Sequence, residues 1–421
     1  MSRASIVTFA FVGALMGCSA PAASADAVLR RVVTPSGIVD GHGVRWAGAG
    51  SVFTGGSLRA TRRGTLVTGS PKLYDVVRDG VAQVRLPVPR PGRYAVVLYM
   101  ANPSPPPNQR HFAVTFGQQR LTPDVEAYAP RTARSPTHAV AEVVVTGRVL
   151  RASLRPLRGR PVLSAIEARR LGPVDMPEVA PVLADQFDGP AGSLPDPTRW
   201  FPENGGGYPH GELETTTGRP ENVGLDGAGH LVITARAERF SRDGITRDYT
   251  SARLLAPLGI RLTRSFVRAR MRVPSGVGLW SAFWLLGADP VPYPESGEVD
   301  IVEQLGNDPR LSYNFIHGAS GPRAAPDAWQ TGHTHRSSRR LDQGFHDYAM
   351  RSVPGAVEFQ LDGRRTMTMT RADRPVATRW PLDRTYNLLL NISVGGDFPG
   401  PPLLSTPFPA RLIVDDVSVN G

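Results

Sequence analysis

The chain has 421 residues, 41% of them hydrophobic and 20% charged, with 44 glycines, 40 prolines and a formal net charge of +11. That is too apolar for a wholly disordered chain and too long for one typical domain, and a single cysteine, Cys18, rules out a disulfide scaffold. Lys72 is the only lysine among 48 basic residues; the arginine excess reads as compositional bias, and no arginine cluster interleaves with aromatics, so nucleic acid is not expected as a partner.

Arg3 precedes an apolar stretch from Ile6 to Met16 and then small residues, so residues 1–25 read as a secretory signal too short to span a membrane in the mature chain. Leu15-Met16-Gly17-Cys18 resembles a bacterial lipobox, which implies lipidation at Cys18 and an anchor made of several acyl chains; cleavage after Ala25 is the alternative. Either route puts the protein outside the cytoplasm, secreted or at the cell surface.

Residues 26–35 read as a tether. From 36 to 172 short strands alternate with Gly/Pro turns: Val81–Leu86, Tyr94–Met100, Phe112–Phe116 and Ala141–Val145. Tyr94–Met100 is continuously apolar, as a strand buried on both faces should be. Gly92–Leu98, Arg110–Val114 and Leu163–Glu167 resemble a malectin-like, carbohydrate-binding β-sandwich, with Trp46, Tyr74 and Tyr128 as candidate sugar-stacking rings against the plainer reading of core packing. A proline-rich joint spans 173–182. Residues 183–421 again read as strands, among them His230–Ala235, Phe266–Met271, Val357–Leu361 and Arg411–Asp415, with no amphipathic helix between them. The expected fold is all-β: an N-terminal sandwich, then a jelly-roll, concanavalin-like sandwich. Residues 26–175 carry 22 basic and 9 acidic residues and 176–421 carry a net −3, which points to two modules with separate jobs. A monomer is expected.

The chemistry lies in Gly297-Glu298-Val299-Asp300-Ile301-Val302-Glu303-Gln304. Strand side chains alternate, so Glu298 and Asp300 share a face while Glu303 falls on the other, unless one β-bulge between Asp300 and Glu303 corrects the phase. With that bulge the outer glutamates lie about 13 Å apart at Cα. Side chains leaning inward would bring their carboxyls to about 5 Å, the separation of a retaining glycosidase rather than an inverting one. Just upstream, Trp280 and Trp284 stand at i and i+4 on one strand face, as platforms for sugar rings would.

Residues 183–421 resemble glycoside hydrolase family 16. The resemblance rests on Gly297–Glu303 in the bulged form of the family motif, Trp280–Gly287, Asn391–Gly400, Phe345–Tyr348 and Val414–Val419. It implies Glu298 as nucleophile, Glu303 as general acid/base and Asp300 as the residue between them, with Glu303 kept protonated by its acidic neighbours. It also implies Tyr208 and Glu212, in Tyr208–Glu214, as sugar contacts, and Arg253 and His317 as sugar hydrogen-bonders. The implied activity is endo-hydrolysis of β-linked glucan, β-1,3-glucan first. Transglycosylation, another polysaccharide (mixed-linkage glucan or an agar- or carrageenan-type galactan), or non-catalytic glycan binding are the alternatives. No cofactor is required on this reading; a structural calcium at Asp415 is optional, and no His/Cys cluster has zinc spacing.

Overall fold

The computed structural model describes residues 28–61, 68–102, 110–121, 124–126, 136–322 and 327–421. Cys18, the signal segment and Tyr128 lie outside the described residues. Among those described, the only helical pieces are two short 3-10 turns, at Pro71–Tyr74 and Pro381–Asp383. The strands expected from alternation and apolar runs are present, with ends shifted by a few residues: Gln83–Pro87, Gly92–Met100, His111–Phe116 and Thr137–Val145 in front, Leu231–Arg242, Phe266–Arg272, Ala356–Leu361 and Ala410–Asn420 behind.

The front unit is a sandwich of a four-stranded sheet, in the order Val28–Val32, Ala165–Gly172, Gly92–Met100, Thr137–Val145, and a six-stranded one. Two sequence boundaries move. Val28–Val32, expected within the tether, pairs antiparallel with Ala165–Arg169 because Val32 enters the core and Arg30 meets Glu167 at 2.7 Å. The joint ends earlier than 182, since Pro181–Asp185 pairs with Val417–Asn420. Trp46 and Tyr74, nominated for sugar stacking, are instead core residues, 2% and 0% exposed. Trp46 gives its indole N–H to Asp40 at 2.9 Å and meets Tyr99 edge-on, so neither ring is offered to a ligand.

The rear unit packs an eleven-stranded sheet against a seven-stranded one. The latter runs Phe201–Pro202, Arg253–Arg261, Thr385–Val394, Leu279–Gly287, Glu298–Leu305, Leu311–Ser320, Asp327–Arg336. One face of each strand faces the inner core: Phe283, Leu285, Val299, Ile316, Leu388 and Leu390 pack against residues such as Met271, Tyr348, Phe359 and Val414 of the larger sheet. The opposite face of the seven-stranded sheet carries the polar and aromatic residues from which the site is built. The two units also share a core, because Val353, Ala356 and Ala372 of the rear unit are buried among front-unit residues.

Candidate active site

The carboxylate strand holds its acids on one face through a local irregularity. Asp300 pairs with Phe315 and Glu303 with Tyr313, so two residues face one across that pair; on the other side Phe283 pairs with Val302 and Trp284 with Asp300. Ile301 is the extra residue of a β-bulge. Opposed residues of antiparallel neighbours share a face. One row across the sheet therefore reads Arg253, Asn391, Ala282, Glu303, Tyr313, Thr334, and the next reads Leu255, Leu389, Trp284, Asp300, Phe315, Gly332. Glu298 follows, opposite Leu286 and His317. All three acids meet in one cleft, as the sequence required.

Asp300 and Glu303 are buried, and Glu298 is partly buried, with 23% of its side chain exposed. Burial pushes the Glu298 carboxyl up to about 8, with the charge of Asp300 adding to the rise. Burial likewise raises Asp300 and Glu303, and for Glu303 repulsion from Asp300 comes second. This corrects the expectation that neighbouring charge is the main cause: desolvation leads. Glu298 and Asp300 share a hydrogen bond, so one of them must carry a proton when they touch. Trp280 gives its indole N–H to Glu303 Oε1 at 2.9 Å.

The remaining expected residues ring the same cleft, in roles that differ from simple sugar contacts. His317 turns Nε2 to Asp300 Oδ2 at 3.0 Å, with Glu298 Oε1 at 4.0 Å, so it belongs to the acid cluster. Arg253 is paired with Glu203 at 2.5 Å, and its guanidinium lies over Trp284 and Tyr208, 4.7 and 4.9 Å from the ring centres. Trp284 donates to Asn391 Oδ1 at 2.8 Å. Tyr208 bonds Thr216, and Glu212 accepts the His210 amide at 3.0 Å. These contacts fix the two indoles and one wall of the cleft.

Several residues were missed from sequence. Tyr313, Phe315 and Phe398 form an aromatic wall beside Glu303, with centroids 5.0–6.3 Å apart, and Trp280 meets Phe398 edge-on. The signal was there in the i, i+2, i+4 spacing of Tyr313, Phe315 and His317. Tyr293 lies close enough to the acids that burial and the charges of Glu298 and Asp300 push its phenol up to about 12. Glu214 is buried, accepts the Val394 amide at 2.8 Å and is raised to about 7 by desolvation.

For metals, the donor set speaks against the optional calcium. Asp415 is engaged by Arg270 Nε at 2.8 Å, a guanidinium standing where a cation would. Asp185 accepts the Trp200 indole and the Phe187 amide, each at 2.9 Å. Among the described residues, Glu298, Asp300 and His317 form the one group with three ligand-type atoms within 4.8 Å of one another, and these are the residues of the acid cluster itself.

Comparison with known proteins agrees with this geometry. The profile described as "Glycosyl hydrolases family 16" matches residues 260–401. A β-glucanase of Rhodothermus marinus is 34% identical over 256 residues, covering 56% of this chain and 84% of the relative. A glucan endo-1,3-beta-glucosidase of Cryptopygus antarcticus is 30% identical over 234 residues, 51% of this chain and 80% of that one. The laminarinase catalytic domain of Thermotoga maritima superposes with a TM-score of 0.51 at 31% identity, over 58% of this chain and 98% of that domain.

Proposed function

The chain belongs to glycosyl hydrolase family 16 and is a glycoside hydrolase; from that premise we propose that it cleaves β-linked glucan, β-1,3-glucan first, within the chain and with retention of configuration. The observation that carries this reading is the bulge at Ile301, which puts Glu298 and Glu303 on one face with Asp300 between them.

In the first step Glu298, ionised while Asp300 keeps the proton the two share, bonds through a carboxylate oxygen to the anomeric carbon while the glycosidic C–O bond breaks. Glu303 gives its proton to the departing oxygen. In the second, Glu303, now ionised, takes a proton from water; the water oxygen bonds to the same carbon and the ester to Glu298 breaks. Asp300 can pass its shared proton toward Glu298 as that group's charge changes, and His317 holds Asp300 in place. Trp280 and Trp284 offer indole faces to sugar rings, and both N–H groups are already tied, which fixes the ring planes.

The test is a hydrolysis screen over laminarin, lichenan, agarose and carrageenan with NMR of the newly formed anomer. Laminarin should be cut to oligosaccharides with the β-anomer released first. Glu298→Gln and Glu303→Gln should each lower kcat by about a thousandfold or more while leaving the fold intact; near-normal turnover in either variant refutes the assignment. We also propose export through the 1–25 signal with lipidation at Cys18, testable by mass spectrometry of the mature N-terminus: an N-terminus at Asp26 would exclude the anchor. A glycan-binding task for the front sandwich has lost Trp46 and Tyr74 as its contacts.

A further inference from the structure

The reaction leaves the front sandwich without a task, and its contact with the rear domain supplies one. Asp373 follows the Arg364–Thr370 strand of the rear sheet, yet its carboxylate is held from the front. Tyr74 donates its hydroxyl to Oδ1 at 2.8 Å and Thr68 donates to the same oxygen at 3.1 Å. His138 Nε2 lies 3.1 Å from Oδ2, and the Thr370 amide donates to that oxygen at 3.1 Å. His138 is fully buried; its amide donates to Thr368 Oγ1 at 3.2 Å, and Nδ1 meets the same hydroxyl at 3.1 Å. That pattern leaves Nε2–H to donate toward Asp373 and Tyr74. The backbone is tied as well, through the Gly69 amide to the Asp373 carbonyl at 3.2 Å and His42 Nε2 to the Arg374 carbonyl at 3.1 Å.

The segment that begins at Asp373 packs against the turn that leads into Glu298. The Arg379 amide bonds the Ala319 carbonyl at 2.9 Å, at the end of the strand that carries His317. Arg379 and Arg384 both grip Glu295, each at 2.5 Å, in the turn that leads to Gly297. Gly297 has φ +81°, and a Cβ there would lie 2.9 Å from Pro381 Cβ and 2.5 Å from Tyr386 Oη. Only a glycine allows Pro381 and Tyr386 to back onto the residue that precedes Glu298.

We propose that the front sandwich is a positioning partner of the active site: through Tyr74 and His138 it clamps Asp373, and through the 373–384 segment it fixes the backbone on which Glu298 is carried. Tyr74, His138 and Asp373 are positioning residues, since none of them touches the cleft. The kinetic part of the proposal rests on the hydrolase reading above; the structural part does not. A displacement of a catalytic group by an ångström can cost about a hundredfold in rate, and a support loosened at one remove should cost about tenfold.

The experiment compares full-length Tyr74→Phe, Asp373→Asn and, as a control at the far end of the interface, Glu142→Gln, which breaks the Glu142–Arg264 pair at 2.8 Å. Rates on laminarin are read well below the melting temperature, and hydrogen–deuterium exchange is followed over 288–297 and 373–384 without substrate. Tyr74→Phe and Asp373→Asn should lower kcat about tenfold with KM changed less than about twofold, and speed exchange in both segments. Glu142→Gln should do neither. Tyr74→Phe keeps the ring and tests the clamp even if Asp373→Asn fails to fold. Unchanged exchange at 288–297 in a folded Tyr74→Phe variant, or an equal effect of Glu142→Gln, overturns the proposal. Faster exchange in an enzyme whose wild type ignores glucans would support the clamp and sink the substrate assignment instead.

Discussion

Trp280→Phe should move the alkaline limb of the pH profile upward, a result not expected from loss of a sugar platform alone. The indole N–H reaches Glu303 Oε1 at 2.9 Å in a site where Glu303 is 8% exposed. A donor aimed at a carboxylate favours its ionised form, because a hydrogen bond to a charged acceptor is worth about 1.5–3 kcal/mol net and one to a neutral acceptor about 0.5–1.5. The difference is about 1–1.5 kcal/mol, or about one pKa unit. Removing the donor removes a stabiliser of the ionised form, so Glu303 keeps its proton to higher pH. On the proposed mechanism Glu303 must be protonated to act as general acid, so the alkaline limb of kcat/KM should shift up by about one unit in Trp280→Phe. The limb belongs to the coupled acids jointly, but Trp280 bonds only Glu303 among them. Trp284→Phe is the matched control: its N–H goes to Asn391, so it should raise KM and leave the limb in place. An alkaline limb that stays put or falls in a folded Trp280→Phe enzyme refutes the argument.

Two further outcomes follow from the same cleft. The Glu298 carboxyl is held up at about 8 against an ordinary 4.5, so its contribution to stability is full below about pH 4.5 and is lost as pH rises toward 8. Glu298→Gln escapes that loss and should be more stable than wild type at about pH 8.5, by up to about 4 kcal/mol from the full shift, with no gain near pH 4; equal melting temperatures at the higher pH would contradict the buried-acid picture. A Cβ at Gly332 would sit 2.1 Å from Phe315 Cδ1, so Gly332→Ala must push that ring out of the aromatic wall. KM should rise several-fold, about 1 kcal/mol of lost ring contact, with kcat little changed, and an unaltered KM would mean Phe315 does not meet the substrate.

The sequence carried the site's chemistry further than its surroundings. Glu298, Asp300 and Glu303 were readable because strand alternation makes a five-residue spacing wrong for one face, and only a bulge repairs it; the register shift between Asp300 and Glu303 is that bulge. Trp280 and Trp284 were readable for a related reason, four residues apart on an even-period element. The roles of Arg253 and His317 were not. A sequence shows that a cation or an imidazole is near, but not that Glu203 and two aromatic faces have engaged the first and Asp300 the second. Nor does it show the partner of Asp415, since Arg270 lies 145 positions away. Trp46 and Tyr74 were placed among candidate sugar contacts because aromatics in a sandwich read alike whether they face a ligand or a core. What separates them is a partner distant in sequence: Tyr99 for Trp46, His138 and Asp373 for Tyr74.

Charge and burial along the front unit point in different directions, and the interface explains why. Tyr94–Met100 is apolar on both faces because its sheet is a middle layer, covered by the six-stranded sheet on one side and by the rear domain on the other. The strong positive charge of the front unit is not spent on that contact. The polar contacts that cross it run against the bulk charges: Glu142 from the basic unit pairs with Arg264, and Asp373 from the acidic unit takes a hydrogen bond from the His138 imidazole, which burial keeps neutral. The excess arginines face elsewhere: Arg85 and Arg151 oppose each other on the solvent side of the six-stranded sheet, and Arg155 is exposed along the same strand as Arg151. Like charges so placed repel weakly and are screened by salt, whereas a buried tyrosine, histidine and carboxylate that satisfy one another are costly to separate. The charge division that argues for two modules is therefore a property of outer surfaces, while the docking face is apolar and shares a buried polar cluster. Two differently charged units joined in this way should unfold together rather than move as independent beads on a linker.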